Sequence, residues 1–463
     1  MAHSGDEILK LSPNVVIQEV GREYAVYHSL YGHPTRMNAE SVRVLRLFSD
    51  PRSVTSLQRE YSIEDLDHWV QAFRKKPFLV ALTADEREEI RTIVQRECGN
   101  IACGRRFRSL GLVLHESCNF DCTYCISKKM MAASGRSFPK PRRMTLEVAQ
   151  QAVDAVAAYC RSKGKRKLEV YFGGSEPLLN WQVLQRTIGY CLERYGTWFD
   201  FIFSMNTNAS LMTPERAEFL TNHHVIVTTS LDGLERVNDT VRRSASGKGT
   251  FRRIMTGWEN LKNAGTNIEW FCLTLTDDNF DAVNEDFFDF LSERGIIICS
   301  IEPDIITPLR REPDDIAAAL VRFKRMGSAR GITVGGMWDK PFKNMFRTDI
   351  LKHLFSCSVF TGRGFCVLPN GDLVSCIYSG EKLGTISDFR SFFASPRYLE
   401  SMQSHALGAI PACQGCEIEG QCIGGCALSA EFDQYHGSTR AFEYRCSVYR
   451  SVTRQLLALH VGD

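Results

Sequence analysis

Residues 109–125 read SLGLVLHESCNFDCTYC, an apolar stretch of strand character that runs into a loop carrying Cys118, Cys122 and Cys125. Three cysteines fall within eight residues, spaced C-x3-C-x2-C, with the aromatic Tyr124 just before the last. Four thiolates would close a tetrahedral metal site, whereas three leave one position for an external ligand. A cubane iron–sulfur cluster usually takes four cysteines, so three on one loop would leave one iron open.

The same texture continues outward from this stretch. Strand-like runs recur as KLEVYFGG (167–174), FDFIFSMNTN (199–208), VIVTTSLDG (225–233), IEWFCLTLT (268–276) and GIIICSIEPD (295–304). Amphipathic stretches such as TLEVAQQAVDAVAAYCRSKG (145–164) and TPERAEFLTNHH (213–224) lie between them. Repeated strand–helix units predict an α/β fold with a parallel sheet and helices outside, either open or, in the preferred reading, curled into a partial (β/α)6 TIM-like barrel over 109–304. In such folds chemistry gathers at the C-terminal strand ends. The unusual residues fall there: the cysteine loop after the first strand, GGSEP (173–177) after the second, SMNTN (204–208) on the third and SLDG (230–233) after the fourth.

The flanks have a different character. Residues 15–30 alternate loosely around Gly21, as an antiparallel pair does. Asn38 is an N-cap candidate for a helix with Val42, Leu45 and Phe48 on one face. SVTSLQREY (53–61) and SIEDLDHWVQAFRKKPFLV (62–80) read as two more helices, the second opening on a near-capping box of Ser62 and Asp65. Strands followed by three short helices predict a winged-helix-like domain over 1–84. The charged, helix-prone span 85–108 reads as a linker, and 305–356 as a bridging region in which Trp338 and Asp339 either line the cleft or lie on the surface. Residues 357–463 are rich in Gly and Cys, and a small domain of that texture needs metal staples.

The chain has 463 residues, 44% hydrophobic and 24% charged, so sizeable cores are available. A net charge of +2 is uninformative and gives no sign of a polyanion, and no nucleic-acid partner is expected. The start MAHSGDEILKLSPNVV lacks the apolar core of a secretory signal. No run approaches the roughly 18 apolar residues of a membrane span. A cytoplasmic protein without a membrane partner is expected. In a reducing compartment, clusters among 17 cysteines point to metal rather than disulfides. Three lie in the loop and eight between Cys357 and Cys446. Cys98, Cys103, Cys160, Cys191, Cys272 and Cys299 are scattered and read as small buried hydrophobes.

The C-terminal set has its own spacing. Cys413, Cys416, Cys422 and Cys426 follow C-x2-C-x5-C-x3-C, with Cys446 beyond and Cys357, Cys366 and Cys376 upstream. Spacing alone does not separate iron from zinc. FCVLPNGDLVSC (365–376) reads as a hairpin turning at Asn370–Gly371. A two-residue loop would put Cys366 and Cys376 on opposite faces, and a three-residue loop on the same face.

CNFDCTYC resembles the signature loop of the radical S-adenosylmethionine (radical SAM) enzymes, whose open iron chelates the methionine moiety of the cofactor. The resemblance implies that Tyr124 lies near the adenine. GGSEP is similar to the family's Gly-Gly-Glu-Pro segment, so that Gly174, Ser175 and Glu176 would meet the cofactor's amino group, although Ser175 stands where glycine is usual. Ser204 and Asn206 match positions that hold ribose or carboxylate. SLDG followed by NDTVRR places Arg242 as the clamp of the cofactor carboxylate.

The C-terminal cysteines resemble the SPASM extension with two auxiliary clusters, making three 4Fe–4S clusters in all. By that resemblance Cys413, Cys416, Cys422 and Cys446 hold one cluster, and Cys357, Cys376 and Cys426 the other. Either Cys366 completes the second set, the preferred reading, or one iron stays open. The N-terminal domain is similar to the PqqD-like recognition domain of ribosomal-peptide (RiPP) maturases, which takes a leader peptide as an added strand. Its last helix carries Glu64, Asp65 and Asp67 against Arg74–Lys76, which disfavours DNA.

The implied activity is that of an oxidoreductase making a 5′-deoxyadenosyl radical and cross-linking a precursor peptide through a carbon–carbon or thioether bond. An external reductant such as flavodoxin or ferredoxin would feed it. The alternatives are maturation of a larger protein (sulfatase- or quinohemoprotein-activating type), peptide epimerisation, or a non-catalytic peptide-binding scaffold. Ile377 after Cys376, where sulfatase-type enzymes place an aspartate base, counts against formylglycine formation. No catalytic acid or base is identifiable.

Overall fold

The computed structural model describes residues 7–135, 142–347 and 354–462. The chain opens with strand β1 (Ile8–Leu11) and continues into an antiparallel sheet of β2 (Val15–Val20), β3 (Glu23–His28) and β4 (Gly32–Met37). Val20 pairs with Glu23, and Gly21 takes φ +63° in the tight connection. Strand β4 was not visible in the sequence because it holds Pro34, which is tolerated at a sheet edge but masks the strand pattern. Three helices follow, Ala39–Arg46, Val54–Tyr61 and Leu66–Lys75. Asn38 caps the first by accepting from the Ser41 N–H at 2.8 Å, and Val42, Leu45 and Phe48 are buried.

The near-capping box does not form. Ser62 instead closes the second helix in a left-handed conformation (φ +48°), its N–H bonded to the Gln58 carbonyl. The third helix begins after Asp65, whose side chain makes no cap bond. A second small sheet, ordered β5 (Arg52–Ser53), β1, β6 (Leu79–Ala81), was too short to carry a periodic signal.

The expected linker is a 17-residue helix, Glu86–Ala102, capped by Asp85, which accepts from the Arg87 and Glu88 amides. Its first two residues tie it to both flanks of the chain. Glu86 is buried and bonded to His28 (2.7 Å), Ser12 (2.6 Å) and Asn14 (3.0 Å), while Arg87 forks onto Glu419 at 3.1 and 3.0 Å. Ile90, Cys98 and Ile101 join the main core.

Six parallel strands then alternate with helices: β7 (Ser109–His115), β8 (Lys167–Gly174), β9 (Asp200–Thr207), β10 (Ile226–Ser230), β11 (Trp270–Leu275) and β12 (Ile298–Pro303). Thr145 and Thr213 cap the helices Leu146–Ser162 and Pro214–Asn222 through their hydroxyls. One set of alternate residues, such as Leu168, Val170 and Phe172, is buried in the main core. The other set, such as Tyr171, Ser204, Thr228, Cys272 and Ser300, is half-buried and forms an inner face rich in small polar groups.

The α/β unit runs past residue 304. Helix Pro313–Ser328 leads to a seventh parallel strand, β13 (Thr333–Gly335), on β12. Trp338 and Asp339 are neither cleft nor surface: both are fully buried, Trp338 donating to the Ile301 carbonyl and Asp339 paired with Lys324 and Lys343. Residues 348–353 of the bridging span lie outside the described residues.

On the other side, β14 (Gly364–Val367) pairs in parallel with β7, and β15 (Asp372–Val374) and β16 (Lys382–Thr385) extend the sheet antiparallel to ten strands. The hairpin from the cysteine-rich region is thereby joined to β7, the first of the parallel strands. The last helix, Arg440–Gly462, packs back along helix Pro313–Ser328, with Ser451 bonded to Asp314. Among the described residues, no helix is long and apolar enough to cross a membrane.

Candidate active site at the strand ends

Cys118, Cys122 and Cys125 lie on the loop between β7 and helix Ile126–Ala133. Backbone bonds hold that loop against the segment 241–245: Asp121 N–H to the Arg243 carbonyl (2.7 Å), Thr123 N–H to Val241 (3.0 Å) and Ala245 N–H to Asn119 (3.1 Å). Arg242 is therefore delivered beside the cysteines by main-chain pairing. The Cys118 sulfur accepts from the Phe120 amide at 3.3 Å and from Asn208 Nδ2 at 3.6 Å. Asn208 also donates to Asn119, and Asn119 to Ser210, so the end of β9 props the loop.

Behind the loop sits a buried ionic cluster. Asp232, fully buried, accepts from Arg242 Nε at 2.7 Å, from the Tyr124 hydroxyl and from the Thr274 amide at 2.9 Å. The Arg242 guanidinium lies 5.7 Å from the centre of the Tyr124 ring. Burial raises the Cys122 thiol pKa, with Arg242 acting in the opposite direction. Burial, with Glu176 nearby, pushes Cys118 up to about 12. Exposed to a cationic cluster, these thiols would ionise on binding it.

The remaining expected cofactor contacts divide into two kinds. Ser204 and Asn206 are half-buried on the inner face, and their side chains make no hydrogen bond among the described residues, so they are free to meet a ligand. Glu176 is instead fully buried and serves the protein. It accepts from Thr207 Oγ1 (2.7 Å), Leu178 N–H (3.0 Å) and Asn208 N–H (2.9 Å). Burial raises its pKa.

Ser175 fits where glycine is usual because the left-handed backbone lies one residue earlier. Gly174 has φ +117°, and a Cβ there would stand 2.5 Å from the His115 carbonyl oxygen. Ser175 donates to the Glu116 carbonyl at 3.0 Å. Sequence reasoning left Asp232 and Asn208 out of the site, although both lie in the quoted segments. Their signal is local, but their role depends on which strand end each one faces.

The eight C-terminal cysteines form two groups. Cys357 adds to the burial that raises the pKa values of Cys366, Cys376 and Cys426, so these four lie within electrostatic reach of one another. Cys413, Cys416, Cys422 and Cys446 interact in the same way. Cys366 and Cys376 share a face because the hairpin loop has three residues. Val367 pairs with Leu373, Leu368 N–H bonds to the Asp372 carbonyl, and Pro369, Asn370 and Gly371 (φ +84°) make the turn. Gly111 on β7 makes room for Cys366, whose sulfur would lie 2.5 Å from a Cβ at that position.

Among the described residues, no three His, Cys, Asp or Glu side chains gather tightly enough to hold a single metal ion. The surroundings favour an anionic guest: Arg445 Nε and Arg450 Nε are buried donors without a partner, on the helix that carries Cys446. Of the six scattered cysteines, Cys98, Cys160, Cys191 and Cys299 are buried, whereas Cys103 is exposed and Cys272 lies on the inner face.

Residues 112–290 match the radical SAM superfamily. Over 469 aligned residues the chain is 24% identical to the "Radical SAM cyclopropyl synthase TigE" of Paramaledivibacter caminithermalis, covering 99% of this chain and 97% of that protein. It is 22% identical to a "Cysteine-type anaerobic sulfatase-maturating enzyme" of Clostridium novyi over 68% of this chain and 86% of the relative. The fold is shared with the solved structure "Native anSMEcpe with bound AdoMet" (TM-score 0.57, 19% identity, 75% of this chain and 99% of that one). It is also shared with Streptococcus suis SuiB bound to S-adenosylmethionine (TM-score 0.53, 13% identity, 90% and 96%). The matching segment takes in the loop that carries Cys118, Cys122 and Cys125 and the parallel strands β8 to β11, so it is this part of the chain that is similar to the radical SAM superfamily.

Proposed function

We propose that this protein is a peptide maturase that oxidatively modifies a ribosomally made precursor. The observation that carries this reading is one continuous sheet joining two kinds of cysteine site. The three-thiol loop sits at the end of β7, and the hairpin of Cys366 and Cys376 is paired to the same strand. The inner face between them presents small polar side chains suited to an extended peptide. A relative covering the whole chain is named a cyclopropyl synthase, and a solved structure of similar fold holds a "Cp18Cys peptide" beside its AdoMet.

In this reading Cys118, Cys122 and Cys125 hold a 4Fe–4S cluster with one iron open to S-adenosylmethionine. Arg242, fixed through Nε by Asp232, turns its remaining guanidinium edge to the cofactor carboxylate. Ser204 and Asn206 receive the ribose, and Tyr124 borders the adenine. When bound, the cofactor supplies the hydrogen-abstracting radical, and the protein supplies orientation and exclusion of water. Two auxiliary 4Fe–4S clusters sit on the two C-terminal groups, with Cys366 completing the set of Cys357, Cys376 and Cys426. Cubane ligands each bind a different iron, so groups looser than a one-ion site suit them. The N-terminal module, residues 1–84, takes the leader as an added strand at a sheet edge. The reductant is a flavodoxin or ferredoxin, and the setting is cytoplasmic.

Epimerisation is the second reading, favoured by the Cys272 thiol on the inner face, a hydrogen-atom donor in reach of the barrel interior. One experiment separates the readings. The short peptide encoded beside this gene is co-expressed anaerobically with the wild type and with Cys122→Ala, and its mass is measured. Loss of a hydrogen pair with the wild type alone is the expected result. An unchanged mass with deuterium uptake from solvent would replace it with epimerisation, and no 5′-deoxyadenosine from the wild type would overturn both.

A further inference from the structure

Arg445 stands one residue before Cys446 on the last helix and is only 5% exposed. Among the described residues it makes no ion pair. Its guanidinium donates through Nη1 to the Cys426 carbonyl and through Nη2 to the Gly424 carbonyl at 2.6 Å. The third donor, Nε, is buried and has no partner. The rings of Phe442 and Tyr449 lie 5.2 and 5.7 Å away, and Tyr449 in turn donates to Glu302 on β12 at 2.8 Å. Gly425 is required beneath it: φ is +61°, and a Cβ would meet Nη1 at 2.9 Å.

A buried cation without a counter-charge is costly, and removing its water is not offset by two neutral carbonyls. The anions in its reach are thiolates of both groups, Cys422 and Cys446 of one and Cys426 of the other, together with the Glu302 carboxyl behind Tyr449, whose pKa burial raises. Its fork grips the turn between Cys422, of one group, and Cys426, of the other, while Cys446 is its chain neighbour. A positive charge shared by two anionic metal centres favours the more negative, reduced form of each.

We propose that Arg445 is a positioning residue held between the two auxiliary iron–sulfur clusters, where its charge raises the reduction potential of both. The proposal rests on the reading that both cysteine groups hold such clusters. It assigns a role to a residue that contacts neither the cofactor site nor the peptide face: it makes the two clusters better acceptors of the electron that an oxidative modification releases.

The test uses the full chain, reconstituted anaerobically, with Cys118, Cys122 and Cys125 replaced by alanine so that only auxiliary signals remain. Iron content and redox titration followed by electron paramagnetic resonance are compared for Arg445, Arg445→Gln and Arg445→Lys. The expected result is full iron in all three. Both potentials fall in Arg445→Gln by at least a tenfold shift in the reduction equilibrium (about 59 mV for one electron), with recovery in Arg445→Lys. Loss of iron from Arg445→Gln alone, with wild-type potentials in Arg445→Lys, also supports a role for the charge. Unchanged potentials in iron-replete Arg445→Gln, or equal shifts in both variants, would overturn it. Loss of auxiliary iron from both variants would overturn it in favour of bracing alone. Absence of auxiliary iron in the Arg445 parent would instead sink the two-cluster reading itself.

Discussion

The two cysteine regions of this molecule are built on opposite plans. At the barrel, regular strands and a self-sufficient ionic cluster hold the loop: Asp232 neutralises Arg242, ties down Tyr124 and accepts from the β11 amide of Thr274. In the C-terminal region the elements before the last helix are short, Ile423, Gly424 and Gly425 run consecutively with positive φ, and the buried guanidinium of Arg445 rests on two carbonyls among the thiols, with no ion pair among the described residues. The barrel site is complete as a folded object before anything binds. On the two-cluster reading proposed above, the charge of Arg445 is balanced once the C-terminal thiols are ionised and occupied, so folding and metal loading should be coupled there and separable at the strand-end loop.

The largest effect that would break this comparison concerns metal and stability. Replacing Cys118, Cys122 and Cys125 by alanine should abolish cofactor cleavage yet leave hydrogen-exchange protection of β7–β12 intact. Replacing Cys422 and Cys446 by alanine should strip protection from residues 410–462. Equal loss in both variants, or retained protection in the second, would erase the distinction.

Next comes the barrel's ionic cluster. Asp232→Ala leaves Arg242 buried and unpaired, which should cost about 3–5 kcal/mol in denaturant unfolding. A cost near zero would mean that Arg242 finds another partner. At the seam between the regions, Gly111→Ala thrusts a methyl onto Cys366 and should cost about 1–3 kcal/mol. Iron per chain should fall while the barrel cluster's S-adenosylmethionine-dependent signal persists.

The smallest effect is a pH slope. Burial pushes the pKa of Glu302 from 4.5 up to about 7. The folded state therefore holds this proton when the unfolded chain has lost it, and stability should decline as pH rises between those values. The slope from this one group is at most about 1.4 kcal/mol per pH unit. Glu302→Gln should flatten it, and an unchanged slope would place the titration elsewhere.

The sequence carried the parallel sheet and its helices well because their information is local. Eight-residue apolar runs, threonine caps at Thr145 and Thr213, and a cysteine triad within one loop are all set by neighbours in the chain. It carried the flanks less well. A strand containing Pro34, a two-residue β5 and a three-residue β6 hold too few residues to show a period. Ser62 looks like a helix start and acts as a helix stop, because its backbone turns left-handed and its N–H, not its side chain, closes the helix on the Gln58 carbonyl.

The composition and spacing of the chain by themselves determined that it has a parallel α/β core, a three-thiol loop at a strand end and a C-terminal region rich in cysteine. Only the tertiary structure decided how these parts meet. A one-residue difference in turn length placed Cys366 with Cys376, and three left-handed residues sent Cys426 away from Cys422, four positions earlier. Main-chain pairing across about 120 residues set Arg242 beside the cysteine loop. Turn register is local but rests on backbone twist that residue type does not fix, whereas pairing across the chain and the partner of a buried charge are long-range quantities. No window of sequence contains both members of such a contact, so their energies become visible only once the chain has folded.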